Sequence, residues 1–235
     1  LDVEGALSNP AATRWIEANF SQDTADIGAG NAFGFIGTSW ANASTGGLQW
    51  WKWFIGEGGV RVPLIVLPPA NQTSARAGTK ESGFANVKDI AVTILDYAGI
   101  EHPGTEYRGR SVVPPSGVSI KGYLEGAKPT PRSDEEWHAY ELFGNGYIVS
   151  GDYKAIRVRP AMFGDGEWHL YDIAKDPGET RPLDGQEPER LAAMIQTYEA
   201  FSKKTGLIPV ADNWSPWHGF LDENGKPLPD QPTSD

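Results

Sequence analysis

The 235-residue sequence contains no cysteine, which excludes disulfides, thiolate metal sites and a cysteine nucleophile. No apolar run approaches the roughly 20 residues that a membrane helix needs. The opening residues, Leu1-Asp2-Val3-Glu4-Gly5, have neither the basic region nor the apolar stretch of a signal peptide, so the sequence names no compartment. Basic residues are scarce too. Twenty Lys and Arg stand against 31 Asp and Glu, a net charge of −11. A field of that sign disfavours nucleic acid and anionic membranes, and neither is expected as a partner. An anionic ligand would then need a local cation or a metal. What is present is a 39% hydrophobic share and nine tryptophans, the composition of a folded chain long enough for one large domain or two small ones.

Residues 1–50 are rich in Gly, Ala, Asn and Ser, with a short helix expected from Pro10 to Phe20. Gly28-Ala29-Gly30 follows no apolar strand and opens no periodic helix, so a surface loop over an active site fits better than a phosphate loop. Val62-Pro63-Leu64-Ile65-Val66-Leu67 is continuously apolar between Gly58-Gly59 and Pro68-Pro69, the pattern of a strand buried on both faces of a parallel sheet. Phe84 to Ala98 has helical apolar spacing, and Gly99 stands at the C-cap position. Together these two elements read as half of an α/β layer. After Pro114 the pattern changes. Tyr147–Val149, a Ser150-Gly151-Asp152 turn and Lys154–Arg159 predict a hairpin. Trp168–Ile173 predicts another strand, and Pro188 opens a helix that ends at Gly206. These elements describe a small antiparallel α+β subdomain.

The segment richest in chemistry is Lys52-Trp53-Phe54-Ile55-Gly56-Glu57-Gly58-Gly59-Val60-Arg61-Val62-Pro63. Two glycines before an apolar strand hold a loop at a sheet edge, where open α/β proteins bind ligands. From the residues alone, Lys52 reads first as a surface lysine whose stem lies along Trp51 and Trp53. The alternative is an ammonium that meets a sulfate or phosphate oxygen.

This segment resembles the K-x(4)-E-G-G-x-R-V-P signature of the type I sulfatases. The resemblance continues through Asp89–Ile100, Pro103-Gly104, Gly109-Arg110-Ser111, Glu141–Gly144, Gly151-Asp152-Tyr153-Lys154-Ala155, Leu170-Tyr171-Asp172 and Asp176-Pro177-Gly178-Glu179. These matches stand in the family's order over roughly residues 45–206. The resemblance implies the C-terminal part of an alkaline-phosphatase-like sheet domain over residues 1–116 and an antiparallel subdomain with a packing helix over 117–235. It implies a sulfuric ester hydrolase that acts on a small-molecule sulfate ester, with Lys52 as the catalytic and substrate-binding residue that touches the sulfate. Glu57 then holds the loop, Arg61 pairs inside the sheet edge, and Asp152, Lys154, Asp172 and Asp176 serve folding.

The departures from the family pattern carry equal weight. The family's nucleophile is a formylglycine made from Cys or Ser in C/S-x-P-x-R. Ser8-Asn9-Pro10-Ala11-Ala12 is the near match, with Ala12 in place of the arginine. The Asp-Asn-Gly that would supply calcium ligands is missing, Asn224-Gly225 is out of place, and Asp2 and Glu4 lie only near its expected position. The expectation is therefore an upstream N-terminal half that carries the formylglycine and most calcium ligands, and a chain that is inactive alone. No residue of this sequence is assigned as a metal ligand. His102, His138, His169 and His218 share no metal-ligand spacing. Two alternatives remain: a phosphonate or phosphate ester hydrolase of the same superfamily, and a noncatalytic carbohydrate-binding module built on Trp50, Trp51, Trp53, Trp214 and Trp217.

Overall fold

A computed structural model describes residues 17–21, 23–32, 37–69, 74–133 and 136–214. The expected helix from Pro10 therefore falls largely outside the described residues, although 17–19 are helical. Asp2, Glu4, Ser8, Trp217, His218 and Asn224-Gly225 lie outside them altogether. The chain divides into two compact units, 1–62 with 138–235, and 63–137.

The first unit is organised by a four-stranded antiparallel sheet in the order β3-β4-β5-β6: β3 Trp137–Leu142, β4 Asn145–Ser150, β5 Tyr153–Arg157 and β6 Trp168–Asp172. The expected hairpin is β4–β5, registered with Ile148 opposite Ala155 and Val149 opposite Lys154. In turn, Ala155 faces Leu170 and Lys154 faces Tyr171. Because side chains alternate across a strand, this register sorts the residues onto two faces. Ala139, Ile148, Ala155 and Leu170 pack with Met194, Leu191 and Tyr198 of helix α5, Pro188–Thr205. Tyr147, Val149, Ile156 and Tyr171 pack instead with Ile55 and the partly buried Val60. The central strand β4 is buried along most of its length because both faces are covered. Helix α5 starts at Pro188 and ends at Gly206 in the left-handed conformation, as the sequence predicts. Its last-turn residues Lys203 and Lys204 suit the helix dipole.

Two shorter helices also belong to this unit: α1, Gly37–Ser44, and α2, Glu57–Val60. Strand β3 was not expected from the sequence. Its turn to β4 carries Phe143 at φ 54° and Gly144 at φ 78°, the paired positive angles of a tight hairpin turn.

In the second unit, helix α3 spans Val87–Ala98 rather than starting at Phe84. The reason is local: Asn86 and Asp89 form a capping box, with the Asn86 side chain accepting from the Lys88 N–H and Asp89 accepting from the Asn86 N–H. The fully buried Asp89 also accepts from the Val118 N–H at 2.9 Å and pairs with Arg132. Thr93, one turn on, accepts from the Ile120 N–H. The Asp89-x-x-x-Thr93 part of the motif thus ties α3 to the segment that leads into α4, Lys121–Leu124. Strands β1, Glu106–Tyr107, and β2, Arg110–Ser111, form a small hairpin through Arg108 and Gly109.

The expected buried strand at Val62–Leu67 is corrected by the structure. The run belongs to no strand, and Ile65 and Leu67 are each 94% exposed. A parallel strand is stabilised by neighbouring strands and by helices on both faces, and the described residues of its unit place no strand beside it.

Candidate functional site

Three segments matched in the sequence meet at one buried charge cluster of the first unit. Lys154, on the β5 face that carries Val149 and Tyr171 as neighbours, is fully buried. Its Nζ donates to Ile55 O at 2.8 Å and to Glu57 Oε1 at 3.0 Å. It also forms an ion pair with Glu179 Oε1 at 2.8 Å, and lies 4.9 Å from the centre of the Tyr147 ring. The second oxygen of Glu179 accepts from the Glu57 N–H at 2.7 Å. Burial pushes the Glu179 carboxyl above its usual range, and Lys154 offsets this in part.

Each member is placed by local chemistry. Glu179 lies within a turn in which the Asp176 carboxylate accepts from the Thr180 N–H, the Thr180 hydroxyl and the Arg181 N–H, at 2.7, 3.0 and 2.8 Å. Glu57 opens α2, and the Gly58 N–H donates to Gln49 O at 2.7 Å. A Cβ on Gly58 would stand 2.0 Å from Trp50 O, and one on Gly59 would stand 2.2 Å from Phe54 O. The two glycines are therefore required by the close approach of loop 49–56 to α2. Arg61 lies 3.7 Å from Glu57 Oε2 with its side chain 44% exposed. It is an outer partner, not one paired inside a sheet edge, because no strand follows it.

The loop supported by this cluster carries Lys52, which is exposed at its turn. On either side of it, Trp50 and Trp53 adopt φ angles of 65° and 86°, conformations that cost a non-glycine residue about 1–3 kcal/mol and gather at functional sites. The Trp50 ring stacks on Phe54 at 4.6 Å, and the Trp53 ring stacks on Phe143 at 5.6 Å. The loop is thus held from beneath by ion pairs and from the sides by aromatic rings.

The remaining candidates are engaged by nearby groups of the chain. Asp172 pairs with Lys175 at 2.6 Å, and Asp152 O accepts from the Ile173 N–H at 2.8 Å. His102 Nδ1 accepts from the Gly104 N–H at 3.1 Å. His138 is buried edge-on to Tyr147. His169 lies between Asp184 at 2.7 Å and Asp165 at 2.8 Å. Partial burial disfavours its charged form, but the two carboxylates outweigh burial and hold it above the usual histidine range. Among the described residues, no group of three or more His, Asp or Glu is arranged to hold a metal ion, and the calcium that the family resemblance implies finds no ligand set among them.

Sequence reasoning assigned Lys154 to folding but missed its two carboxylate partners, and it passed over Arg159. That residue is fully buried, and its guanidinium donates to the carbonyls of Phe143, Ala211 and Trp214. The available signal was the second basic residue of Arg157-Val158-Arg159 in a run that alternates with apolar residues.

No family model matches the chain. Among curated proteins it is 34% identical over 196 residues to an uncharacterised sulfatase of Schizosaccharomyces pombe, covering 83% of this chain and 34% of that protein. It is 30% identical over 148 residues to an N-acetylglucosamine-6-O-sulfatase of Bacteroides thetaiotaomicron, covering 57% of this chain and 23% of that one. An arylsulfatase of Clostridium perfringens is 29% identical over 130 residues, with 54% and 24% covered. The chain thus spans about a third or less of the length of these relatives. A structure solved in complex with its substrate D-glucosamine-2-N,6-O-disulfate aligns with a TM-score of 0.36, at 25% identity over 52% of this chain and 24% of that one. A phosphonate monoester hydrolase of Agrobacterium radiobacter aligns with a TM-score of 0.34, at 19% identity over 66% of this chain and 31% of that one.

Proposed function

Because this chain matches a C-terminal portion of the sulfatases, we propose that it forms the C-terminal part of a sulfuric ester hydrolase and presents Lys52 to the sulfate of the substrate. The observation that carries this reading is the support of the Lys52 loop. Glu57, Lys154 and Glu179 hold it through a buried ion-pair cluster, and two strained tryptophans flank the lysine. A charge cluster buried to that degree is costly unless fully paired, and in this chain it braces a loop that presents an exposed cation.

In such a reaction Lys52 would place its ammonium against a non-bridging sulfate oxygen and stabilise the charge that builds there as the S–O ester bond breaks. In a protein of net charge −11, a local cation also offsets the repulsion of an anionic substrate. The formylglycine and the calcium implied by the family would come from an upstream half of the enzyme, and residues 1–235 alone would not turn over.

The test is steady-state kinetics of the full-length protein on matched esters of one alcohol, 4-nitrophenyl sulfate and 4-nitrophenyl phosphate. A sulfatase prefers the sulfate in kcat/KM. A preference for the phosphate, or for the corresponding phosphonate monoester, moves the assignment to the phosphonate or phosphate hydrolases.

A further inference from the structure

Beside Lys52 the first unit builds an aromatic surface that its core does not use. Trp53, the next residue, stacks on Phe143 with the ring planes 15° apart, and Phe143 in turn meets Trp214 at 6.4 Å. The three come from the loop before α2, the β3–β4 turn and the segment after α5. Trp53 is 43% exposed and Trp214 is 40% exposed, whereas core aromatics such as Tyr147 and Tyr171 are at 5% and 8%.

Hydrogen bonds tie this surface together. Arg159 is wholly buried and uses its guanidinium on the carbonyls of Phe143, Ala211 and Trp214, with its central carbon 5.7 Å from the centre of the Trp214 ring. Asn145 Oδ1 accepts from the Arg159 N–H at 2.9 Å, and Arg157 pairs with both oxygens of Asp212 at 2.9 and 3.0 Å. One buried cation thus fixes the backbone of two of the three aromatic residues. Backbone strain is found in the same stack. Among the described residues, six non-glycine residues have positive φ, and two of them are its members Trp53 and Phe143.

We propose that the Trp53–Phe143–Trp214 ledge is a substrate subsite that stacks the six-membered ring carrying the sulfate ester, while Lys52 takes the sulfate. Half-exposed aromatic faces bind flat or weakly puckered rings through dispersion and C–H···π contact, and a cation one residue away suits the ester group on the same ring. The occupant is a ring-bearing sulfate ester, a pyranose or an aryl group. The proposal rests on the reading of the chain as part of a sulfuric ester hydrolase.

The experiment compares KM in the full-length protein for N-acetylglucosamine 6-sulfate, 4-nitrophenyl sulfate and propyl sulfate, which has no ring. Trp53→Ala and Trp214→Ala are each expected to raise KM for a ring-bearing ester roughly 3–10-fold more than for propyl sulfate. Trp53→Phe and Trp214→Phe, which keep a ring, are expected to restore most of the difference. A selective effect on the sugar ester identifies the ring as a pyranose, and one on the nitrophenyl ester identifies it as aryl; either supports the ledge. Equal changes for all three esters, or none for any, overturn it. Lys52→Ala separates the two readings, since it should weaken all three esters alike. If it changes nothing while the tryptophan variants still discriminate, the ledge stands and the role of Lys52 falls.

Discussion

Lys154 Nζ lies 2.8 Å from Glu179 Oε1 in a site where both side chains are fully excluded from water, and Glu57 closes the cluster at 3.0 Å from the same ammonium. One cation therefore pairs with carboxylates from two distant segments. Lys154→Met keeps the aliphatic stem but strands both acids. Urea unfolding should show a loss of about 3–5 kcal/mol, the usual cost of removing one partner of a buried pair. Adding Glu179→Gln to that variant should recover part of the loss, because one stranded charge is then gone. A Lys154→Met protein within about 1 kcal/mol of the parent would contradict the cluster as the brace of the loop.

Lys52 should behave in the opposite way. It is exposed, so Lys52→Ala should change stability by no more than about 0.5 kcal/mol. In the full-length enzyme it should lower kcat/KM for a sulfate ester roughly 100-fold, the loss of a charge-assisted contact to a transferring group. Unchanged kcat/KM would return Lys52 to the role of a solvated surface cation.

Gly58→Ala tests the geometry between the cluster and the exposed lysine. The added methyl would sit 2.0 Å from the Trp50 carbonyl oxygen, a backbone atom that cannot rotate away. Either the loop or α2 must shift. The expected result is a destabilisation of about 1–3 kcal/mol together with a fall in activity, because Trp50 and Lys52 share the displaced loop. A Gly58→Ala crystal structure with loop 49–56 unmoved would refute this reading.

His169 makes stability depend on pH. Its folded-state pKa is raised by Asp184 and Asp165 against the opposing effect of burial. The stabilisation is therefore fully present below the unfolded histidine pKa of about 6.5. It fades as pH rises through the higher folded value. The Tm difference between the parent and His169→Gln should be largest in mildly acidic buffer and shrink on the alkaline side. A difference that grows with pH would reverse the assigned sign.

Residues 1–235 expressed alone should not hydrolyse 4-nitrophenyl sulfate, with or without added calcium. Turnover comparable to that of a complete sulfatase, from a preparation free of any upstream half, would show that the catalytic groups lie within this sequence.

Much of the fold was legible where a local rule decides the outcome. Pro188 and Gly206 bracket α5, and Gly99 ends α3, because proline suits a first helical turn and glycine tolerates the left-handed cap. The β4–β5 hairpin was readable from its alternation. Strand β3 was not, since His138 and Ala139 are neighbours on opposite faces and yet both are buried, which erases the period-two signal. Val62–Leu67 misled for a related reason: an apolar run reports that something should cover it, not that the same chain does.

The sequence by itself determined the glycine caps at Gly99 and Gly206, the β4–β5 turn and the glycine pair that lets loop 49–56 approach α2, because these depend on neighbouring residues and backbone sterics. It also placed Lys52 in a family motif. Only the tertiary structure decided that Lys154 is a buried cation rather than a strand-edge lysine. Its acceptor on Glu57 lies 97 residues away along the chain, and the contact from Glu57 to Glu179 spans 122. The same holds for the ledge, where Arg159 reaches Phe143 and Trp214 across 16 and 55 positions. Charge burial and ring stacking are set by which distant segments close over a residue, and periodicity records which face is apolar without recording what lies against it.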